Sequence, residues 1–219
     1  MRPETISPEG RTRPRPLAGK SLQNYADGLT SFCEWLVERR LLREDPLRGL
    51  APFDTTPKSQ RRAMTADEVQ RFLNAIEESG SAWARRRRLG YELALASGLR
   101  KGELQALKVM DIDQERCGVH LHAEWTKNRK AGFQPLPAFL VARLAENAKG
   151  KGPDDALVLV ARESAVALRR DLKRAGIPSV TPEGKLDFHA LRVAYTTFVL
   201  ELAQMPRRRR HWRVIQRQR

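Results

Sequence analysis

Three short stretches carry residue types suited to chemistry at a phosphate. In ASGLRKGELQALKVMDID, residues 96–113, Arg100 opens a helix and Glu103 stands beside it. In EWTKNRKAGFQPLP, residues 124–137, Lys127 begins a polar turn, with Lys130 close behind. In DFHALRVAYTTFVLE, residues 187–201, His189 and Arg192 are three apart and so share a helix face. An arginine fork makes paired bonds to phosphate oxygens and stays charged. Fixed cations and donors aimed at oxygens that gain charge can supply much of the rate of a phosphoryl transfer. Each residue alone also has a plainer reading. Arg100 suits a solvated helix start and Lys127 an exposed turn, where Lys130 is a rival for the same task. His189 suits a cap or a core position, and Glu103 a surface helix.

The elements that must position these residues follow from local pattern. Residues 1–17 hold four prolines and no apolar period, which implies an irregular lead-in. From Ser21, the positions Leu22, Tyr25, Leu29, Phe32, Leu36 and Val37 recur at helical steps and predict one apolar, core-facing side. Gly28 weakens that helix without ending it, and Asp45-Pro46 is expected to stop the run. Thr65 and Glu68 form a T-x-x-E capping box at the head of a helix over Val69, Phe72, Leu73 and Ile76. A second helix is expected from about Ala82 to Ser97, ended by Gly98. A short helix through Glu103 and Leu107 follows. Residues 117–136 predict two strands joined by a turn at Lys127–Gly132. Helical pattern returns near Phe139–Leu144 and Ala165–Leu172, and a last helix covers His189 to about Leu202. The fold class is therefore mainly α with a small antiparallel sheet (α+β), with no internal repeat.

Composition narrows the partner. The 219 residues hold 41 Lys+Arg and 26 Asp+Glu, a net charge of +15. Residues 205–219 contribute seven arginines and no acid, and 15 − 7 leaves +8 on the rest. Such a surplus points to a polyanion, and double-stranded DNA fits best. No apolar run approaches the roughly 20 residues that span a bilayer, so no membrane partner is expected. The N-terminus holds no apolar leader. Cys33 and Cys117 suit reduced thiols in the cytoplasm, and neither has histidines at metal-ligand spacing. No metal, cofactor or small-molecule substrate is expected. The run Arg85–Arg88 suits either DNA phosphates or a solvated basic face. His120 and His122 alternate along a strand on one side, as structural residues rather than ligands.

Taken in order, the three stretches resemble the catalytic domain of the tyrosine recombinase family, which includes phage integrases. That family has a GLR-x-GE-x-x-x-L segment, a lysine in a β-turn ahead of P-L, and an H-x-L-R helix start. The likeness runs over about residues 20–202. It implies a partial helical core-binding domain at 18–52, a linker at 53–64 and an incomplete catalytic domain at 65–203, ahead of an Arg-rich tail at 204–219. It also implies the roles. Arg100 and Arg192 would clamp the phosphate, and His189 would donate to it or move a proton. Lys127 would protonate the leaving 5′-oxygen, and Glu103 would orient Arg100 or a neighbouring histidine. The protein's own cations would stand where a metal might, and other recombinase protomers are expected partners.

The family continues into a helix with a further histidine and then a tyrosine that attacks the phosphate. This sequence holds Tyr25, Tyr91 and Tyr195. The first two suit helix cores, and Tyr195 falls where the family has an aromatic core residue. The nucleophilic tyrosine is thus expected to be absent and the chain inactive in cleavage; the alternative is a DNA-binding module that competes for an intact recombinase's sites. A basic RNA-associated protein is a weaker reading that leaves the four polar residues unexplained. The tail can also be back-translated. One permitted codon choice, read in the shifted frame, gives DAEEAATLARHSTPA, which resembles the missing family segment. The tail is accordingly expected to lack an apolar face and fixed structure beyond about residue 203.

Overall fold

The computed structural model describes residues 16–57, 60–126 and 129–204. The chain divides into two compact units, Met1–Lys58 and Ser59–Arg219.

The first unit is built on α1, Gly19–Glu38. Its helical period matches the sequence, but the apolar side is not a core. Tyr25, Leu29 and Phe32 are each more than half exposed, and Ala26 is the helix's buried residue. The expectation that Tyr25 is a core residue is therefore corrected: the described part of this unit offers nothing that covers it. The helix also ends earlier than Asp45-Pro46. Arg40 takes a left-handed φ of 59°. The Arg40 N–H donates to Val37 and that of Leu41 to Leu36, which closes the last turn in a Schellman motif. A left-handed arginine gives no glycine signal, so sequence pattern overruns the end. Asp45 instead starts a turn, its carboxylate accepting from Leu47 N–H at 2.9 Å.

In the second unit, α2 spans Ala66–Glu77. Thr65 accepts from Glu68 N–H, and the Glu68 carboxylate accepts from Thr65 N–H, completing the capping box. The next helix, α3 (Ala82–Ser97), stops at Gly98, which is left-handed. Then come α4 (Lys101–Ala106), a 3₁₀ turn at Val109–Asp111, and the strands β1 (Ile112–Asp113), β2 (Gly118–Leu121) and β3 (Gly132–Pro135). These strands form one antiparallel sheet in the order β1-β2-β3. Gly132 belongs to β3 rather than to the turn, pairing with Leu121. Two helices follow, α5 (Ala138–Ala148) and α6 (Ser164–Arg174). A tight hairpin of β4 (Val180–Thr181) and β5 (Gly184–Lys185) leads to α7, Phe188–Gln204. Strands of two residues are too short to show a period, which is why β1, β4 and β5 leave no sequence signal. The Lys127 position and the expected irregular tail lie outside the described residues, except that α7 includes Gln204.

The core gathers around α3, which packs against α2 and α7. Phe72, Ile76, Leu93, Leu104, Leu140, Leu144, Leu172 and Leu191 are all sealed from solvent. The basic run on α3 divides between core and surface. Arg87 and Arg88 fit neither of the readings offered for the run. Arg87 makes a forked pair with Asp171 of α6, which is fully buried and also accepts from the Tyr91 hydroxyl at 3.0 Å and from Arg174 at 2.8 Å. Arg88 is buried and pairs with Glu77 and Glu92. Tyr91, as its helix position implies, is a core residue beside Phe72 and Phe188. A buried charge survives only when paired and hydrogen-bonded, so these arginines are helix-to-helix ties. Arg85 and Arg86 remain at the surface, with Arg86 over the Trp83 ring.

Candidate active site

A cleft of about 360 Å³ opens where the end of α3, the start of α4, the β2–β3 hairpin and α7 meet. Its lining includes Gly98, Arg100, Glu103, Lys130, Arg192 and Tyr195. The left-handed Gly98, with φ 64° and ψ 19°, turns the chain out of α3 and places Arg100 at the head of α4. Ser97 steadies the turn: its hydroxyl donates to Leu93 carbonyl at 2.6 Å and accepts from Leu99 N–H at 3.2 Å.

Glu103 is the fixed point on this side. It is 5% exposed. Its carboxylate accepts from the Arg100 backbone N–H at 2.7 Å and from the Arg100 guanidinium at 2.8 Å. A buried carboxylate with both contacts on one residue orients that residue's side chain, and Arg100, its side chain 46% exposed, lines the cleft. Arg192 comes from α7, whose Ala190, Leu191 and Ala194 are buried. Its guanidinium donates to the Gly98 carbonyl. The two arginines are thereby tied to the same turn, one through Glu103 and one through Gly98.

Tyr195 was expected as an aromatic core residue; it is half-buried in the cleft wall instead. Its ring lies so close to Gly98 that a Cβ there would stand 2.2 Å from Tyr195 Cδ1. Lys130 lines the cleft beside Thr126, to which it is hydrogen-bonded. Thr126 Oγ1 accepts from Lys130 N–H at 3.0 Å and lies 2.9 Å from the Lys130 carbonyl. Lys127 lies outside the described residues. His189 occupies the first turn of α7 and is exposed; it does not line the cleft. The residues that sequence reasoning passed over are Gly98, as an acceptor for Arg192, and Thr126. A backbone carbonyl has no side-chain signature, and a threonine in a turn has many.

His120 and His122 serve the sheet: His120 pairs with Asp113 at 3.1 Å and His122 with Asp111 at 2.8 Å. Among the described residues, no cluster of three or more His, Cys, Asp or Glu could hold a metal ion. Among them, too, no helix is long and apolar enough to cross a membrane.

The family model described as the phage integrase family matches residues 62–207. Tyrosine recombinase XerC of Azotobacter vinelandii is 30% identical over 198 residues, 85% of this chain and 62% of that protein. XerC of Neisseria gonorrhoeae is 29% identical over 120 residues, 55% of this chain and 39% of the relative. Among solved structures, a lambda integrase dimer bound to a COC′ core site superposes with a TM-score of 0.62 at 21% identity, over 82% of this chain and 66% of that one. The Tn1549 transposon integrase in complex with circular intermediate DNA gives 0.61 at 20% identity, over 87% and 69%. At such identities the superpositions establish the fold, an α+β arrangement with small antiparallel sheets. The chain spans less than two thirds of the length of either XerC relative.

Proposed function

The chain belongs to the phage integrase family of tyrosine recombinases, and from that membership we propose that it binds double-stranded DNA with a backbone phosphate seated between Arg100 and Arg192. The observation that carries this reading is the pair of arginines, distant in sequence, that line one cleft and are anchored to a single turn. Anchored forks lose little freedom on meeting a phosphate, which favours tight, oriented contacts. Solved relatives with this fold hold DNA, and the lambda integrase is a dimer in its complex. Double-stranded DNA and further recombinase protomers are the partners assigned here. Residues 65–203 form the catalytic domain in this reading, and 18–52 a part of the core-binding domain.

In the family reaction, a tyrosine hydroxyl gives up its proton as its oxygen bonds to phosphorus, the bond from phosphorus to the 5′-oxygen breaks, leaving a 3′-phosphotyrosine, and the 5′-oxygen takes up a proton. Arg100 and Arg192 would hold the two non-bridging oxygens as charge builds on them. Glu103 keeps Arg100 in register. Lys127, or Lys130 from the same hairpin, would give the proton to the leaving oxygen. His189, exposed on the first turn of α7, would add a donor once DNA covers it. No cofactor enters this scheme. The cytoplasm is the assigned compartment.

For these 219 residues alone, the proposal is DNA binding without strand cleavage. The support lies in the tyrosines. Tyr91 is sealed in the core on Asp171, and burial together with that carboxylate pushes its pKa far up. Tyr195 packs its ring on Gly98. Tyr25 sits on α1 of the other unit. A chain of this kind would occupy recombinase sites as a competitor.

The test has two arms. A labelled duplex titrated at several salt concentrations should give a log K that falls linearly with log salt, as phosphate contacts release counterions. A flat plot overturns the DNA reading. A nicked suicide duplex should yield no covalent adduct on a denaturing gel. An adduct that disappears in Tyr195→Phe would make Tyr195 the nucleophile and overturn the inactive reading.

A further inference from the structure

Residues 60–62 have the composition of a linker's basic end, yet they run beside β5, joined to it by a single bridge. Arg61 bridges Lys185 in parallel register. Lys185 N–H donates to the Gln60 carbonyl at 2.9 Å, and Arg62 N–H donates to Lys185 at 3.2 Å. Gly184, at φ 141°, allows the approach: a Cβ there would stand 2.8 Å from the Gln60 carbonyl oxygen. Successive side chains on an extended strand point to opposite sides. Arg61 and Arg62 use that alternation to reach two different helix starts.

Arg62 forks onto Glu68 at 2.7 and 2.8 Å, and Glu68 is the carboxylate of the α2 capping box. Arg61 donates from Nε to both oxygens of Asp187, at 3.0 and 2.8 Å. Asp187 stands directly before α7. Its Oδ1 accepts from Ala190 N–H at 3.1 Å, and its carbonyl accepts from the same N–H at 2.8 Å. A carboxylate in this place satisfies an orphan donor of the helix start and complements its dipole. The same Oδ1 therefore serves α7 and Arg61 at once.

We propose that Arg61 is a positioning residue for the phosphate site, acting through Asp187 on the first turn of α7, which carries His189 and leads to Arg192. The role rests on the reading of Arg192 as a phosphate ligand. Arg61 lies at the N-terminal edge of the second unit, in the stretch continuous with the first. Two backbone hydrogen bonds, from Lys185 N–H to Gln60 and from Arg62 N–H to Lys185, hold residues 60–62 beside this ion pair.

The experiment uses the full chain, with Arg61→Ala, Asp187→Asn, the double variant, Arg61→Lys and Arg192→Ala. Asparagine keeps a capping acceptor and loses the charge, so Asp187→Asn separates the ion pair from the cap. Two quantities are read: hydrogen exchange of amides 190–193, without DNA, and affinity for a labelled duplex. Arg61→Ala and Asp187→Asn should each speed exchange there and weaken duplex binding about two- to fivefold, the range expected for one partly exposed ion pair. The double variant should be no weaker than either single one, and Arg61→Lys should restore part of the loss. If Arg61→Ala weakens binding while Asp187→Asn strengthens it, with exchange unchanged, Arg61 touches phosphate directly and the positioning role is overturned. Faster exchange with unaltered affinity, or no change in either, also overturns it. Unaltered affinity in Arg192→Ala would instead overturn the phosphate reading itself.

Discussion

Replacing Gly98 with alanine makes two separate demands on the site. The first is conformational. Gly98 sits at φ 64° and ψ 19°, where an L side chain costs about 1–2 kcal/mol. The second is steric. The new Cβ would lie 2.2 Å from Tyr195 Cδ1 and 2.8 Å from Cε1. Ring and backbone must move apart, and overpacking of this kind costs about 1–3 kcal/mol. Together the change should destabilise the second unit by roughly 2–5 kcal/mol, a large part of the about 5–15 kcal/mol that holds a domain folded. It should also loosen Arg192, whose guanidinium is bonded to the Gly98 carbonyl. Urea unfolding followed by circular dichroism measures the loss, and duplex titration measures the effect on Arg192. The cycle with Tyr195→Ala separates the two demands. Removing the ring should leave the conformational cost and remove the steric one, so the double variant should be more stable than the sum of the singles by about 1–3 kcal/mol. If the two changes simply add, Tyr195 is not what Gly98 makes room for, and this account of the cleft wall is wrong.

Three further outcomes are expected. Glu103→Ala leaves the Arg100 N–H without its carboxylate and should lower stability by about 1–3 kcal/mol, whereas Glu103→Gln, which keeps one acceptor, should lose less; thermal melts of both decide. Asp171→Ala strips a buried carboxylate from Arg87, Tyr91 and Arg174 and should cost about 3–5 kcal/mol in urea unfolding, and a loss under 1 kcal/mol would show that the network is not what ties α3 to α6. The hydrogen bond from Arg62 holds the Glu68 carboxyl below its ordinary value of 4.5 despite partial burial. A depressed acid stabilises the fold above its unfolded pKa and loses that contribution as pH falls through the folded one. Unfolding free energy should thus drop as pH falls below about 4.5, and Glu68→Gln should flatten that part of the profile; an unchanged profile would refute the assignment.

Local interactions made much of this protein legible in its sequence. The Thr65–Glu68 box, the Ser97–Gly98 helix end and the helical periods of α2, α5 and α6 are set by residues within one or two turns of each other. Proximity in sequence makes such contacts nearly obligatory, and the Arg100–Glu103 pair, three residues apart, is of the same kind. Contacts across the chain left no comparable sign. Nothing near Arg87 announces Asp171 as its partner, and nothing near Arg61 announces Asp187. Two arginines read as surface charge became core ties because folding brought carboxylates to them and shut out water. Tyr25, Leu29 and Phe32 went the other way: their spacing makes a helix face, but whether a face is buried depends on what packs against it. The cleft belongs to this second kind of information. Its residue types stand in the sequence, while the Gly98 carbonyl that anchors Arg192, and the Tyr195 ring that closes on that glycine, exist only once α3 and α7 lie side by side.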